Sequence, residues 1–304
     1  MQQLQWQDRF NIGVEIVDQA HRRLFSIVQK IMELYVEKHE DKFACVEGIK
    51  YFKAYAIKHF AEEEAYMRKA GYSGYLAHKR LHDKMKRETL PSLERELYAS
   101  DFSTEAVQRF IGVCSGWLTG HIIIEDRAIT GRTAGELVLP QPDDGQSVIR
   151  AVMTYPLQEM FGLNVQFIGV FSPGDTITDA QYYELTCSGR QGQRLRLILV
   201  IGEHLLLQAA GLMFGIEFTA RSEIVRFAVR EIAQSLIQRA AVCFGEDSGA
   251  YQLEGDRFLE AGEYSRMFAE RDPQYSLLFR VGQECFALCV DQMPQSGCPS
   301  SEGF

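Results

Sequence analysis

At 304 residues, 46% hydrophobic and 24% charged, the chain has a globular composition and enough length for two domains of ordinary size. No apolar run approaches the roughly 18 residues of a membrane span, and the N-terminus MQQLQWQDRF lacks the basic and apolar regions of a signal peptide, so a cytoplasmic protein is expected. Residues 1–130 balance 19 Lys+Arg against 19 Asp+Glu, whereas residues 131–304 hold 13 and 22 and carry the whole net charge of −9, which excludes nucleic acid as a partner of that half.

Residues 1 to 17 read as an arm, with Trp6 and Phe10 placed to pack on the open side of a helical bundle. From Asp18 to about Lys38, Leu24, Ile27, Val28, Ile31, Leu34 and Tyr35 recur at three and four, which is one face of a helix, with His21 in register. A second helix is expected from about Asp41 to Lys69, through Phe52, Tyr55, Ala56, His59, Phe60 and Glu63. Gly71 to Gly74 is a turn. A third helix starts near Tyr75, carries His78 and His82, and should be kinked or interrupted by Pro91. Ser103 is the expected N-cap of a fourth helix running to about Ile129. Four helices with short connections predict an up-down-up-down bundle.

The chemistry concentrates on these helices. His59 and Glu63 are four apart, so their side chains leave one face a turn apart; His78 and His82 repeat the spacing. His21, His121 and Asp126 complete five of the chain's seven histidines and two carboxylates. A single His on an apolar face is ordinarily a satisfied core side chain, but five in register each need a partner. Imidazole with carboxylate is the ligand set of an iron-type site, and a bundle core is where facing helices converge such ligands. Seven ligands exceed the six of one octahedral ion, and carboxylates such as Glu63 and Asp126 can bridge two. Residue types alone leave Mn and Zn open. His39 sits in a polar helix end and reads as solvated; His204 opens an apolar helix.

This pattern resembles hemerythrin in its bacterial form. Asp18-Gln19-Ala20-His21, His59-Phe60-Ala61-Glu62-Glu63, His78-Lys79-Arg80-Leu81-His82 and Trp117 to Asp126 look like the family's four helix signatures, in order, and Trp6, Asn11 and Gly13 sit where the family has its N-terminal arm. The resemblance covers about residues 1 to 130. It implies two Fe ions in an oxo-bridged centre with O2 as ligand, held by His21, His59, Glu63, His78, His82, His121 and Asp126, the two carboxylates being the bridges. It also implies that Trp117, Leu118 and Ile122 line the O2 pocket.

Residues 131–147, GRTAGELVLPQPDDGQS, read as a linker, residues 148–292 as a second domain and 293–304 as a tail. The second domain is expected to open with a helix over about 147 to 162. Strands come next at Val165 to Phe171, Tyr182 to Cys187 and Arg194 to Ile201, then helices at about 204 to 213 and 221 to 243. After a polar loop come strands Tyr275 to Arg280 and Glu284 to Val290. Blocks of strands and helices predict an α+β fold, a sheet with long helices on one face. The cysteines, odd in number and scattered, make a poor disulfide framework; Cys285 and Cys289 share a strand face and read as core.

That order of elements resembles the CheC/CheX type of chemotaxis phosphatase, whose long helix carries Glu-x-x-Asn. Here Glu231-Ile232-Ala233-Gln234 is the match, with Gln in place of Asn and a Gly211-Leu212-Met213-Phe214-Gly215 turn before the helix. Spacing of i and i+3 puts Glu231 and Gln234 on one exposed helix face. The resemblance implies a CheY-like response regulator as partner, and a catalytic role for the pair. The last two strands, long and apolar, are expected to offer a sheet edge for a homodimer. The favoured reading is an O2-binding or redox-sensing protein whose second domain passes the signal on. The alternatives are an O2-regulated phosphatase of a phosphorylated response regulator, and simple O2 storage or delivery.

Overall fold

The structure is a computed structural model that describes residues 6–34, 42–131, 150, 154, 158, 164–172, 175–189, 194–214, 218, 222–242, 251–268 and 273–293. The expected linker beyond Gly131, most of the expected helix over 147–162 and the tail from 294 lie outside the described residues.

The first part is helical. Helix α1 spans Glu15–Met32, α2 Lys42–Ala70, α3 Tyr75–Lys84, α4 Leu90–Ala99, α5 Thr104–His121 and α6 Arg127–Ile129. Along α2 the buried positions are Cys45, Ile49, Phe52, Ala56, His59, Phe60, Glu63, Glu64 and Met67, a stripe at three and four that faces the bundle core. Ser103 caps α5, its Oγ accepting from the Ala106 N–H at 3.2 Å.

Among the described residues, two π-helical segments lie between α-helices. One, Met85–Thr89, lies just before Pro91. Pro91 cannot donate to a carbonyl one turn back, and its ring crowds that turn; the widened segment absorbs the misfit before α4 resumes. The chain is thus interrupted where Pro91 predicts, without the helix ending. The other segment, Ile122–Asp126, joins α5 to α6.

The arm packs as expected. Phe10 is fully buried and stacks on Phe25 at 5.4 Å, with Trp6 edge-on to both. Asp18 holds the arm down: its two oxygens accept from the Ile12 N–H at 2.7 Å and the Gly13 N–H at 3.0 Å. Gly13 takes φ 89°, which a residue with a Cβ seldom adopts. Thr130 Oγ1, just past α6, donates to the Ile12 carbonyl and ties the arm to that end of the chain's helical part.

The second part is a six-stranded antiparallel sheet plus helices, an α+β fold. Strands β1 Val165–Val170, β2 Ala180–Gly189 and β3 Arg194–Gly202 are followed by α7 Glu203–Phe214 and α8 Glu223–Val242. Then come β4 Tyr251–Leu259, α9 Ala261–Met267, β5 Tyr275–Val281 and β6 Glu284–Met293. The order across the sheet is β1-β5-β6-β3-β2-β4. Leu197 to Val200 on β3 and Phe286 to Val290 on β6 are buried at consecutive positions, so both faces of the sheet centre are covered. On one face Ile198, Val200, Ala287 and Cys289 pack with Phe171, Leu259 and Phe268, and Tyr264 and Met267 of α9 close over them.

Three expectations need correction. The stretch read as a polar loop contains β4 and α9. β4 is hard to see because YQLEGDRFL has Gly255 and Asp256 at its middle, poor strand formers; pairing with β2 supplies what propensity does not. Gly211 to Phe214, read as a turn, are the last turn of α7. And β5 and β6 are interior strands, each paired on both sides, so neither offers the free edge expected of it; the sheet's edges are β1 and β4.

Among the described residues, the bundle together with the stretch 207–232 forms one compact unit, and the sheet with the residues from 233 onward forms the other. No helix among the described residues is long and apolar enough to cross a membrane.

Candidate metal centre

All seven sequence-predicted ligands are buried and come together inside the bundle: His21 from α1, His59 and Glu63 from α2, His78 and His82 from α3, His121 from α5 and Asp126 from the π segment. Spacing of four on an α-helix delivers His59 with Glu63 and His78 with His82. His121 and Asp126 are five apart, which an α-helix would splay by over a third of a turn. The wider turn of the π segment Ile122–Asp126 reduces that offset, and Asp126 Oδ1 stands 3.0 Å from His121 Nε2.

The oxygens of the two carboxylates divide the histidines into two sets. Glu63 Oε2 faces His59 Nε2 at 3.1 Å and His21 Nε2 at 4.0 Å, while its Oε1 faces His78 Nε2 at 3.0 Å and His82 Nε2 at 3.9 Å. Asp126 Oδ2 faces His21 Nε2 at 3.2 Å, while its Oδ1 faces His78 Nε2 at 3.2 Å and His121 Nε2 at 3.0 Å. Within the second set, His121 Nε2 is 3.0 Å from His78 Nε2 and 2.9 Å from His82 Nε2.

These separations have a chemical meaning. Donors about 2.1 Å from one ion and at right angles to each other stand about 3 Å apart. Both oxygens of Glu63 and of Asp126, and the Nε2 atoms of His21 and His59, face one another at these distances without the alignment of a hydrogen bond. Buried polar atoms left in that state are costly. Lone pairs that converge on a point between the side chains relieve the cost when a cation sits there. The donor set therefore fits a non-haem iron site.

Charge agrees. Burial, with His121 beside it, pushes the His82 imidazole down to about 2, so it is neutral, the form that ligates. Burial also lowers His21. Burial and the Asp126 charge push the Glu63 carboxyl up, but His59 and His78 outweigh them and hold it at about 2. Asp126, against its burial, is held well below the carboxylate range by His121, His21 and His78. His78 is buried, which lowers it, yet both carboxylates face it and raise it to about 10. An ion bound between those groups would take the place of that proton.

Aromatic rings fix the imidazole planes. Phe60 stacks on His82 at 4.3 Å and Trp117 on His121 at 4.3 Å, and Phe60 and Trp117 meet edge to face at 5.4 Å. Trp6 lies over His21 at 6.4 Å. Leu118 and Ile122 are buried and Trp117 is half-buried, so the surroundings are apolar.

The match to known proteins decides the family. Residues 12–132 match the model of the hemerythrin HHE cation binding domain. The bacteriohemerythrin of Clostridium acetobutylicum is 34% identical over 128 residues, which is 40% of this chain and 95% of that protein. The chain belongs to the hemerythrin family. The bacteriohemerythrin of Stenotrophomonas maltophilia is likewise 34% identical, over 44% of this chain and 84% of its own length. The chain is also similar to the chemotaxis protein CheX of Vibrio vulnificus, at 14% identity and a TM-score of 0.37, over 47% of this chain and 96% of that one.

Outside the hemerythrin bundle, Glu231 and Gln234 lie on α8 and are half-buried, not on an exposed face as their spacing suggests. Gln234 Nε2 donates to Tyr183 Oη at 3.0 Å, and Tyr183 Oη donates to Asp256 Oδ2 at 2.9 Å. Burial first, and the Glu231 charge second, raise the Cys114 thiol on α5 well above its ordinary value. The pair sits against neighbouring elements because Val225, Ala228 and Ile232 bury the adjoining face of α8. The residues missed from sequence are Phe60, which borders the centre one position from His59, and Glu64, the last of the Glu62-Glu63-Glu64 run, which is buried.

Proposed function

We propose that the protein binds two iron ions in the bundle and uses them to bind O2 or register its presence. The observation that carries this is the division of carboxylate oxygens: Glu63 turns one oxygen to His21 and His59 and the other to His78 and His82, and Asp126 turns one to His21 and the other to His78 and His121. One set then offers five protein donors and the other four, and the poorer set keeps room for a small exogenous ligand. A bound iron pair supplies the O2 chemistry. The chain's own residues hold the ions, keep the imidazole planes fixed through Phe60 and Trp117, and exclude water with Leu118, Ile122 and Trp117.

The test is the purified protein's metal content and visible spectrum, reduced without air and then exposed to it. About two irons per chain, with new charge-transfer bands on exposure, are expected. One iron or none, or a spectrum that air leaves unchanged, overturns the reading.

Sensing needs an output. We propose that it leaves through α5. Gly112 and Gly116 bring the α5 backbone against α8: a Cβ on Gly112 would lie 2.6 Å from the Ile224 carbonyl oxygen, and one on Gly116 2.7 Å from the Ala228 Cα. Arg109 on α5 lies over the Phe227 ring at 5.0 Å. The helix that bears His121 thus rests on the helix that bears Glu231 and Gln234, so a shift of one is felt by the other. A response regulator is the proposed receiver, on the order of elements in residues 165–290. A phosphatase in which Gln234 orients water has less support, because Tyr183 already engages its amide.

The proposed domain division, 1–130, 131–147 and 148–292, gives a further expectation. A fragment ending within 134–146 contains every ligand and should bind iron. It should also melt well below the whole chain, because the Gly112–Gly116 face loses α8. Equal melting temperatures by circular dichroism would show that α8 adds nothing to the bundle.

A further inference from the structure

We infer that Glu64 is a positioning residue of the metal centre, holding the His82 imidazole by its outer nitrogen; this rests on the proposed iron site. Glu63 and Glu64 are adjacent on α2 and so point about 100° apart. Glu63 turns into the centre. Glu64 turns to the seam between α2 and α3, where its Oε1 lies 3.3 Å from His82 Nδ1. With His82 Nε2 directed at the centre, the proton sits on Nδ1 and is donated to Glu64.

The carboxylate is buried and is braced from its other side. Lys86 Nζ donates to Glu64 Oε1 at 3.2 Å, and Lys79 Nζ stands 4.0 Å from Oε2. Asp83 fixes both lysines, at 2.5 Å from Lys79 and 3.1 Å from Lys86. The brace and the ligand share α3 and the π segment after it: Lys79, His82, Asp83 and Lys86 lie within about two turns along one side. By contrast, the Nδ1 atoms of His21 and His78 make no hydrogen bond among the described residues.

A carboxylate on the far nitrogen of a ligating imidazole does two things. It fixes the tautomer and ring orientation, and it draws the Nδ1 proton, which makes Nε2 a stronger donor and favours the more highly charged ion. Phe60, stacked on His82, limits tilting of the ring but cannot set its rotation in plane or its tautomer. Glu64 supplies what Phe60 cannot.

The test uses the full chain and Fe(II), titrated without air against a competing chelator, for the wild type, Glu64→Gln and Lys86→Met. Glu64→Gln keeps the shape and loses the charge. It should bind iron about 10- to 100-fold more weakly, raise the reduction potential of the loaded protein and leave the metal-free melting temperature unchanged. Lys86→Met should shift affinity the same way by less. Wild-type affinity and potential in Glu64→Gln overturn the role of Glu64 alone. So does a loss of affinity matched by a fall in metal-free melting temperature, since that is a packing effect. A wild-type chain that takes up no iron overturns the centre itself.

Discussion

Glu63→Ala should leave the purified protein with almost no iron, whereas His82→Ala should leave it with about half. The two variants differ in how many ion positions they touch. Glu63 turns Oε2 toward His21 and His59 and Oε1 toward His78 and His82, so its removal strips a donor from both positions. His82 approaches His121 at 2.9 Å and belongs to one position, leaving His21, His59 and both carboxylates intact. Glu63→Ala also leaves the buried His59 imidazole without its carboxylate partner. Metal binding and folding are linked, so its melting temperature should fall together with its iron. Iron per chain and a thermal melt check this on one preparation. Two irons in Glu63→Ala would mean that Glu63 bridges nothing.

Gly116→Leu should destabilise the chain by about 3 kcal/mol, at the upper end of what overpacking costs. The reason is the closeness of α5 and α8. A Cβ on Gly116 overlaps the Ala228 backbone, with the Ala228 Cα at 2.7 Å, and a helix backbone cannot step aside as a flexible side chain can. The helices must separate, uncovering Val225, Ala228 and Phe227, all now buried. His121 and Asp126, proposed ligands, lie one turn and more beyond Gly116 along the same helical run, so iron content should fall less than stability. Urea unfolding and iron analysis separate the two effects. A midpoint equal to that of the wild type would show that α5 and α8 are not packed this closely in solution. A variant with normal iron but an unchanged response of α8 to O2, followed by the fluorescence of a label on α8, would remove the proposed output route.

Much of the bundle is set by local sequence. Helices α1, α2, α3 and α5 lie close to where the apolar spacing of three and four puts them, and Ser103 caps α5 because a hydroxyl before an apolar run has an unpaired N–H to accept from. Spacing of four suffices to align His59 with Glu63 and His78 with His82, since both members of each pair ride one regular helix. The sheet's core strands are legible for the same reason: Leu197 to Val200 and Phe286 to Val290 are apolar runs that only burial on both faces explains.

What the sequence could not decide depends on contacts between distant segments. The turn that brings Asp126 under His121 is a departure from the α-helix, and no propensity marks it; it exists because two side chains five residues apart serve one centre. Glu62, Glu63 and Glu64 are indistinguishable as residue types, and only the tertiary packing turns Glu63 to the histidine cluster and Glu64 to His82 Nδ1 while Glu62 stays exposed. The strand order is equally non-local. β5 and β6 look like an edge hairpin in sequence, yet β1 and β3 cover them on both sides, while β4 exists as a strand because β2 offers it a partner. Glu231 and Gln234 share a helix face by spacing alone, but whether that face meets water or protein is settled by packing, as the Tyr183 contact to Gln234 shows, which the spacing cannot know.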